Sequence, residues 1–330
     1  MRGLFSHPRF WLFAPFLGLL ALTVLAFGLW SYASERIRHD LAALGLTWQS
    51  VEPNGFPARL TLDVTAPRLV QENLTWSNPN LTATLMPFNL GLEDSHGVVD
   101  FLGAHEIKLP SGTFTVSHSG NLMSLLLAHG GLLRSSFDMR QPSLKGILIR
   151  QKWRPEIHLE AQELGLHIRR SEKQTRTPDP MDVAVQLKNL RVVQPKSLGK
   201  EAFRRLDILA SVPKLWLQNK LQAGDVLRLD RVTLERKALT LVARGTLKLD
   251  ARGYVQGVLD LNVVNLTALL DALQEARLIS PRDRAKWAFL GGLGAALGGD
   301  TQDRLSVPLH FKNGRTHLGP LDLGPAPSWR

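Results

Sequence analysis

The sequence predicts a mainly β chain of the α+β class: an N-terminal transmembrane helix, then a long curved antiparallel sheet with one apolar face, and a helical pair near the C-terminus. Three observations carry this. From Leu239 to Val263 every odd position is apolar or glycine while the even positions are mostly polar. Strand side chains alternate faces with period two, so this stretch has one dry face and one wet face. Between Arg9 and Glu35 there is no charged residue, and helical spacing of apolar residues appears only near the end of the chain.

With 330 residues the chain is long enough to bury a sizeable core. It contains no cysteine, which excludes disulfides, Cys-ligated zinc, iron–sulfur clusters and thiol catalysis. The net charge of +11 is unevenly placed, because residues 131–252 hold 25 Lys and Arg against 13 Asp and Glu, a local +12. Such a surface attracts anionic lipid headgroups, acidic polysaccharide or nucleic acid. Lys and Arg alternate with apolar residues there, however, which is also what the solvated face of a sheet looks like.

The 25 uncharged residues from Phe10 to Ser34, as a helix, would extend roughly 37 Å, enough to cross a hydrocarbon core of about 30 Å. Trp11 at one end and Trp30 with Tyr32 at the other are interface anchors. Ser31-Tyr32-Ala33 would pass as a signal-peptidase site, but the apolar core exceeds the 7–15 residues of a signal sequence, so an uncleaved anchor is expected. No acid precedes the segment, which favours an N-inside orientation and places the rest of the chain outside the cytoplasm, away from nucleic acid. The expected division is a cytoplasmic tail (1–9), a transmembrane helix (10–32), a β-rich half (33–170), a loop (171–180) and a second β-rich half (181–330) with helices over 266–297.

Glu35 to Leu44 continues the helix to a C-cap at Gly45. Strand patterns follow: Thr47 to Val51, then Leu60, Leu62 and Val64 after the turn cluster Pro53-Asn54-Gly55-Phe56-Pro57, then short runs at 81–85, 98–102, 113–116 and 145–149. The apolar run Asn121 to Leu133 has no clear period and is compatible with a short helix. Strands resume at Val183, Val185 and Leu187, at Leu206 to Val212, and at Leu215 and Leu217. The apolar parity then switches near Asp230, which predicts a bulge or turn. Asp250 to Gly253 is the turn of the Leu239–Val263 hairpin. Leu266, Leu269, Leu270 and Leu273 fall at i, i+3, i+4 and i+7, and Ser280, Pro281 and Asp283 open a second helix through Trp287, Phe289 and Leu293. Asn313-Gly314 is a hairpin turn between the last strands.

No catalytic motif is present. Gly292, Gly294 and Gly298 lie in a helical stretch without the strand–turn–helix context of a nucleotide site. His96, His105, His118 and His129 match no zinc spacing, and Glu156, His158 and Glu160 on one strand face have no further ligand nearby in sequence. A non-enzymatic protein without metal or cofactor is expected.

The N-terminal anchor, the Gly55-Phe56-Pro57-x-Arg59 turn and the ending Asn313-Gly314-Arg315 then Leu318-Gly319-Pro320-Leu321-x-Leu323-Gly324-Pro325 resemble domain of unknown function 2125 (DUF2125), a bacterial family. The helical pair before that ending is similar too. The resemblance covers roughly the first 70 and last 75 residues and implies a periplasmic protein anchored in the inner membrane, distantly like the AsmA-like envelope proteins whose long sheets carry lipid. It implies no catalytic residues. The expected function is therefore to bind or carry lipid, such as phospholipid or another anionic envelope lipid, or to support envelope assembly. The residues expected to meet lipid are Leu239, Leu241, Leu247, Leu249, Leu259, Leu261 and Val263. A scaffold whose apolar face is an ordinary core, and an envelope hydrolase with an unrecognised site, are the alternatives.

Overall fold

A computed structural model of the chain describes residues 8–43, 45–56, 59–85, 94–128, 131–148, 155–171, 180–194, 203–214, 222–275, 279–288, 304–318 and 321–328. Most of the expected loop 171–180, the strand at Leu215 and Leu217, the second helix beyond residue 288 with Gly292, Gly294 and Gly298, and most of the N-terminal tail fall outside these residues.

The first helix, Pro8–Ala43, has 36 residues and so runs about 54 Å. Its end is the expected one: Gly45 adopts φ 84°, open to glycine without strain, and its N–H donates to the Ala42 carbonyl at 2.9 Å. Leu19, Leu22, Leu25 and Leu29 expose most of their surface. One turn later the character changes, because Trp30, Ala33 and Ile37 share a face and pack on Leu60, Leu62 and Val64, which are fully buried. Large apolar side chains from Phe16 to Leu25 are thus exposed, and the upper part of the helix belongs to the core.

Among the described residues 22 strands form an antiparallel meander in which each pass pairs with the one before and the one after it. The early passes are creased. Leu60–Thr65 continues beyond Ala66-Pro67 as Arg68–Gln71, and Leu74–Ser77 continues beyond Asn78-Pro79 as Asn80–Leu85. Asp94–Leu102 goes on past Gly103-Ala104 as His105–Leu109, and Gly131–Arg140 past Gln141-Pro142 as Ser143–Leu148. On either side of the crease the half-strands pair only with their own kind, giving two walls that share the long strand Pro180–Gln194. Left-handed backbone at Ala66 (φ 50°), Gly103 (87°), Gln141 (47°) and Asn189 (50°) makes the bend on alternate passes. Backbone hydrogen bonds persist through it, from Ala66 N to Pro79 O (2.7 Å) and from Gln141 N to Gln162 O (2.8 Å). The sheet therefore folds along a line without losing its ladder.

Beyond Pro180–Gln194 the first wall continues alone through Phe203–Pro213, Val226–Arg236, Leu239–Leu249, Val255–Val264, Arg304–Lys312, Arg315–Leu318 and Leu321–Pro325. The parity switch near Asp230 is a bulge, with the register shifting between Leu229 and Val232. Within the run 121–133, residues up to Ala128 and from Gly131 on belong to two strands rather than a helix. The blurred period has a plain cause: Met123 and Leu125 point to one face, while Leu122 on the other is half exposed. At the far end Asn265, at φ 68°, caps the helix Leu266–Glu275 by accepting from the Ala268 N–H at 2.9 Å, and a second helix over 281–288 is capped by Ser280.

Candidate functional site

Strand register assembles the site. Leu62 lies opposite Ala83, and the same row continues through Val99, Met123, Phe137, Leu166, Val185, Ile208, Val232, Ala243 and Leu261 to Val307. Every member is apolar. With strands about 4.8 Å apart, the row runs for roughly 50 Å along one face of the first wall. The next row, from Val64 through Leu81, Phe101, Met139, Leu164, Leu187, Leu206, Leu234 and Leu241 to Val263 and Leu305, departs from apolar character only at Asn121. That side chain serves the backbone, accepting from Phe101 N at 3.0 Å and donating to Phe101 O at 2.9 Å, as a neighbouring strand would.

The second wall presents a matching face: Leu69, Trp76, Ile107, Phe114, Gly146 and Ile157 form one row. Gly146 is required there, since a Cβ would come 2.5 Å from both the Phe114 ring and the Thr113 carbonyl. The two faces meet at the crease, where Trp76 and His105 of the second wall touch Phe101 and Phe137 of the first, with ring centroids 5.1–6.4 Å apart. The result is a trough with an apolar lining.

Both ends are covered. The first helix fills the N-terminal end, and Leu266, Leu269 and Leu270 of the C-terminal helix bury Leu239 and Val263. Arg236 fastens that helix through Glu275 at 2.9 Å. Between these covers Leu125, Phe137, Leu164, Leu166, Val185, Leu187, Leu206 and Ile208 stay only half-buried. A run of large apolar side chains this long and partly accessible to water is the mark of a surface that meets something apolar.

Of the seven residues singled out from sequence, all lie on the apolar face of the first wall, but they face different surroundings. Leu239, Leu241, Leu261 and Val263 sit under or beside the C-terminal helix, whereas Leu247 and Leu249 line a recess at the hairpin's other end, and Leu259 is buried between. The half-buried passes between Leu125 and Ile208 were not singled out, although their alternation is visible in the sequence; what it lacked was the register that aligns them.

The basic excess lies largely on the opposite face. Arg169 pairs with Asp182 at 3.5 Å and Arg204 with Glu235 at 2.9 Å across neighbouring strands, and Arg228 with Asp230 at 3.0 Å along one strand, so these charges neutralise one another. A concavity of about 390 Å³ on that side, lined by Arg134, Arg169, Asp182 and Asp230, mixes both signs of charge.

The crease holds a strongly perturbed titratable group. His105 is 5% exposed, and its Nδ1 accepts from the Trp76 indole N–H at 3.2 Å, which leaves the proton on Nε2, a buried atom with no partner. Burial, and after it the neighbouring His118, pull the imidazole down to about 4 from 6.5. His105 and His118 are thus ring neighbours, 5.3 Å apart, while His96 is exposed on the first wall and His129 lies outside the described residues. Glu160 binds His158 at 3.1 Å. Among the described residues no three His, Asp or Glu gather around a common point where a metal ion could sit.

In the first helix, Gly18–His39 is long and apolar enough to cross a membrane, a property signal sequences share. The turn at Gly55 joins this helix to the trough: Gly55 takes φ 90°, its carbonyl accepts from Arg59 N at 2.9 Å, and Phe56 packs edge-on against Phe27 and Trp30. The family described as "Uncharacterized protein conserved in bacteria (DUF2125)" matches residues 32–327, nearly the whole chain. No curated protein and no solved structure matches it.

Proposed function

The chain belongs to the DUF2125 family of bacterial proteins, and from that premise we propose that it is a periplasmic protein anchored in the inner membrane by its first helix, which binds or carries lipid along its apolar trough in support of envelope assembly. The observation that carries this reading is the lining between the two covered ends, where apolar rows of both walls are left half-buried. An ordinary core would bury them. Support also comes from the anchor, since one continuous helix contributes its exposed apolar half and, a turn later, the Trp30, Ala33 and Ile37 face that fills the trough's near end. A hydrocarbon chain leaving the bilayer beside that helix would meet apolar surface on both sides. The reading assigns no catalytic step.

Register alternation supplies the test. A benzophenone-bearing residue placed at Val185 or Ile208 faces the trough, whereas one at Ala184 or Leu209 faces away from it. Irradiation of cells and mass spectrometry of the full-length chain should yield lipid adducts at positions 185 and 208 and none at 184 and 209. Equal labelling of the two pairs, or none at either, overturns the reading and leaves a scaffold with an apolar interior.

A further inference from the structure

The turn that follows Ser50–Asn54 lies against the first helix at a level that decides what else it touches. Phe56 packs on Phe27 and Trp30, with ring centroids 5.4 and 5.9 Å apart, and the Trp30 indole N–H donates to the Arg59 carbonyl at 3.3 Å. On either side of Phe27 the helix stays apolar and open, with Leu25 60% and Leu29 61% exposed. Hydrocarbon that covers Leu29 also covers the level of Phe27, and therefore reaches the ring packed on it. Along the axis Phe27 precedes Trp30 by roughly 4.5 Å. Phe56 is thus the deeper member of the turn and Arg59 the shallower, within the 5–10 Å over which interfacial segments enter the boundary between headgroups and acyl chains.

The turn also fixes where its cation sits. Arg59 N–H donates to the Gly55 carbonyl at 2.9 Å, and a Cβ on Gly55 would come 2.7 Å from Arg59 Cγ, so glycine leaves the space in which the arginine stem lies. Arg59 is exposed and pairs with no acid among the described residues. Asp63, on the adjoining strand, is already taken by Asn54 Nδ2 at 2.7 Å and Thr82 Oγ1 at 2.8 Å. An aromatic ring at the acyl boundary with a guanidinium one step nearer the water is the order in which a phospholipid presents its own tail and phosphate.

We propose that this turn is a second membrane contact: Phe56 enters the trough-side leaflet beside Phe27, and Arg59 binds the phosphate of a lipid headgroup above it. The contact rests on the anchor reading, from which it takes the level of the bilayer. Its consequence is orientation. A single helix leaves the sheet free to swing over the membrane, whereas a ring and a charge held beside that helix fix one side of it. Leu60 follows Arg59 directly and is fully buried at the trough's near end, so that end is held at the headgroups.

The test uses the full chain in nanodiscs of phosphatidylcholine and phosphatidylglycerol. Because the sequence has no cysteine, a single nitroxide can be attached after Leu22→Cys, Phe56→Cys, Arg59→Cys or Glu72→Cys. Its collisions with oxygen and with a water-soluble nickel chelate are then compared by electron paramagnetic resonance. Glu72, exposed in the turn after Arg68–Gln71, is the reference in water, because Val70 lies beside Gly45, roughly 20 Å beyond Trp30 along the helix. Labels at 22 and 56 should favour oxygen, the label at 72 the chelate, and the label at 59 should fall between 56 and 72. Added to the chain labelled at 56, Arg59→Gln should raise chelate access by up to about fivefold, and Arg59→Lys, which keeps a cation for the phosphate, should raise it less. Oxygen favoured at 22 with the chelate reaching 56 as readily as 72 overturns the contact and leaves the anchor standing; the chelate favoured at 22 removes both. Unchanged access in Arg59→Gln overturns the phosphate assignment. Should Phe56→Cys disturb folding, the label at 59 keeps Phe56 in place, and chelate access there equal to that at 72 overturns the contact as well. Lipid adducts at positions 185 and 208 do not depend on this turn, so the trough is judged separately.

Discussion

Lowering the pH should loosen the crease through one residue. His105 is neutral in the fold, with its value near 4, and near 6.5 once unfolded. Between these values the unfolded chain binds the extra proton and the folded chain does not, so stability falls with pH across this window and the loss is complete below it. The difference of about 2.5 units corresponds to a ceiling of about 3 kcal/mol, of which about 2 kcal/mol is already lost at pH 5. The physical cause is specific: a second proton would have to sit on Nδ1, the atom that accepts from Trp76, inside a cluster of Trp76, Phe101, Phe137 and His118. Urea unfolding of the full chain in a mild non-ionic detergent, followed by tryptophan fluorescence at pH 7.5 and pH 5, should be compared with His105→Phe. The variant lacks the Trp76 hydrogen bond at both pH values, a constant offset, so the change in the gap isolates the imidazole. The wild-type advantage should shrink by about 2 kcal/mol from the higher to the lower pH. Parallel pH profiles would refute the argument.

Three further outcomes are expected. Gly257→Ala should destabilise strongly, by about 3 kcal/mol or more, because its φ of 141° suits glycine and a Cβ would lie 2.3 Å from the Thr246 carbonyl, whereas Gly224→Ala, with open space around it, should cost about 1 kcal/mol in the same melting experiment. Leu241→Asp and Leu261→Asp, beside the C-terminal helix, should each cost several kcal/mol, while Leu249→Asp at the recess should leave the melting temperature nearly unchanged; equal losses at all three would mean that the recess is closed to water. Intact-mass measurement of the membrane-extracted protein should find the first 33 residues retained, since Ala33 and Ser34 are buried at the near end of the trough, and a mature terminus at Ser34 would contradict it.

Elements with a local signature were legible in the sequence. The long helix and its Gly45 stop, the Leu239–Val263 hairpin, the bulge near Asp230, the Asn313-Gly314 turn and the cap at Ser280 each follow from spacing or from the one residue type that a backbone angle admits. The crease was not legible. Ala66-Pro67, Asn78-Pro79 and Gln141-Pro142 have the composition of hairpin turns, and sequence cannot tell a residue that reverses a strand from one that bends it and lets it continue. Nor does alternation say which of two apolar faces meets which, so Leu239 to Val263 stood out for its length although half of it lies beside a helix. The trough depends on register over many strands, and His105 on a contact between walls; neither leaves a local trace.

The meander has a consequence for how the chain reaches this state and avoids others. Each pass finds its partner in its immediate predecessor, so no distant segments need to be brought together and the entropy of loop closure enters one hairpin at a time. Ordering can spread from the anchored end outward, pass after pass, as in repeat proteins whose stability is a sum of neighbour terms. What such a stack leaves at the two ends of its first wall is an edge strand that could recruit a second chain. Among the described residues both of these carry proline, Pro53 within Ser50–Asn54 and Pro325 closing Leu321–Pro325, and a proline offers no N–H to a newcomer. The same local connectivity that lets the sheet grow thus meets, at each margin of that wall, an imino acid.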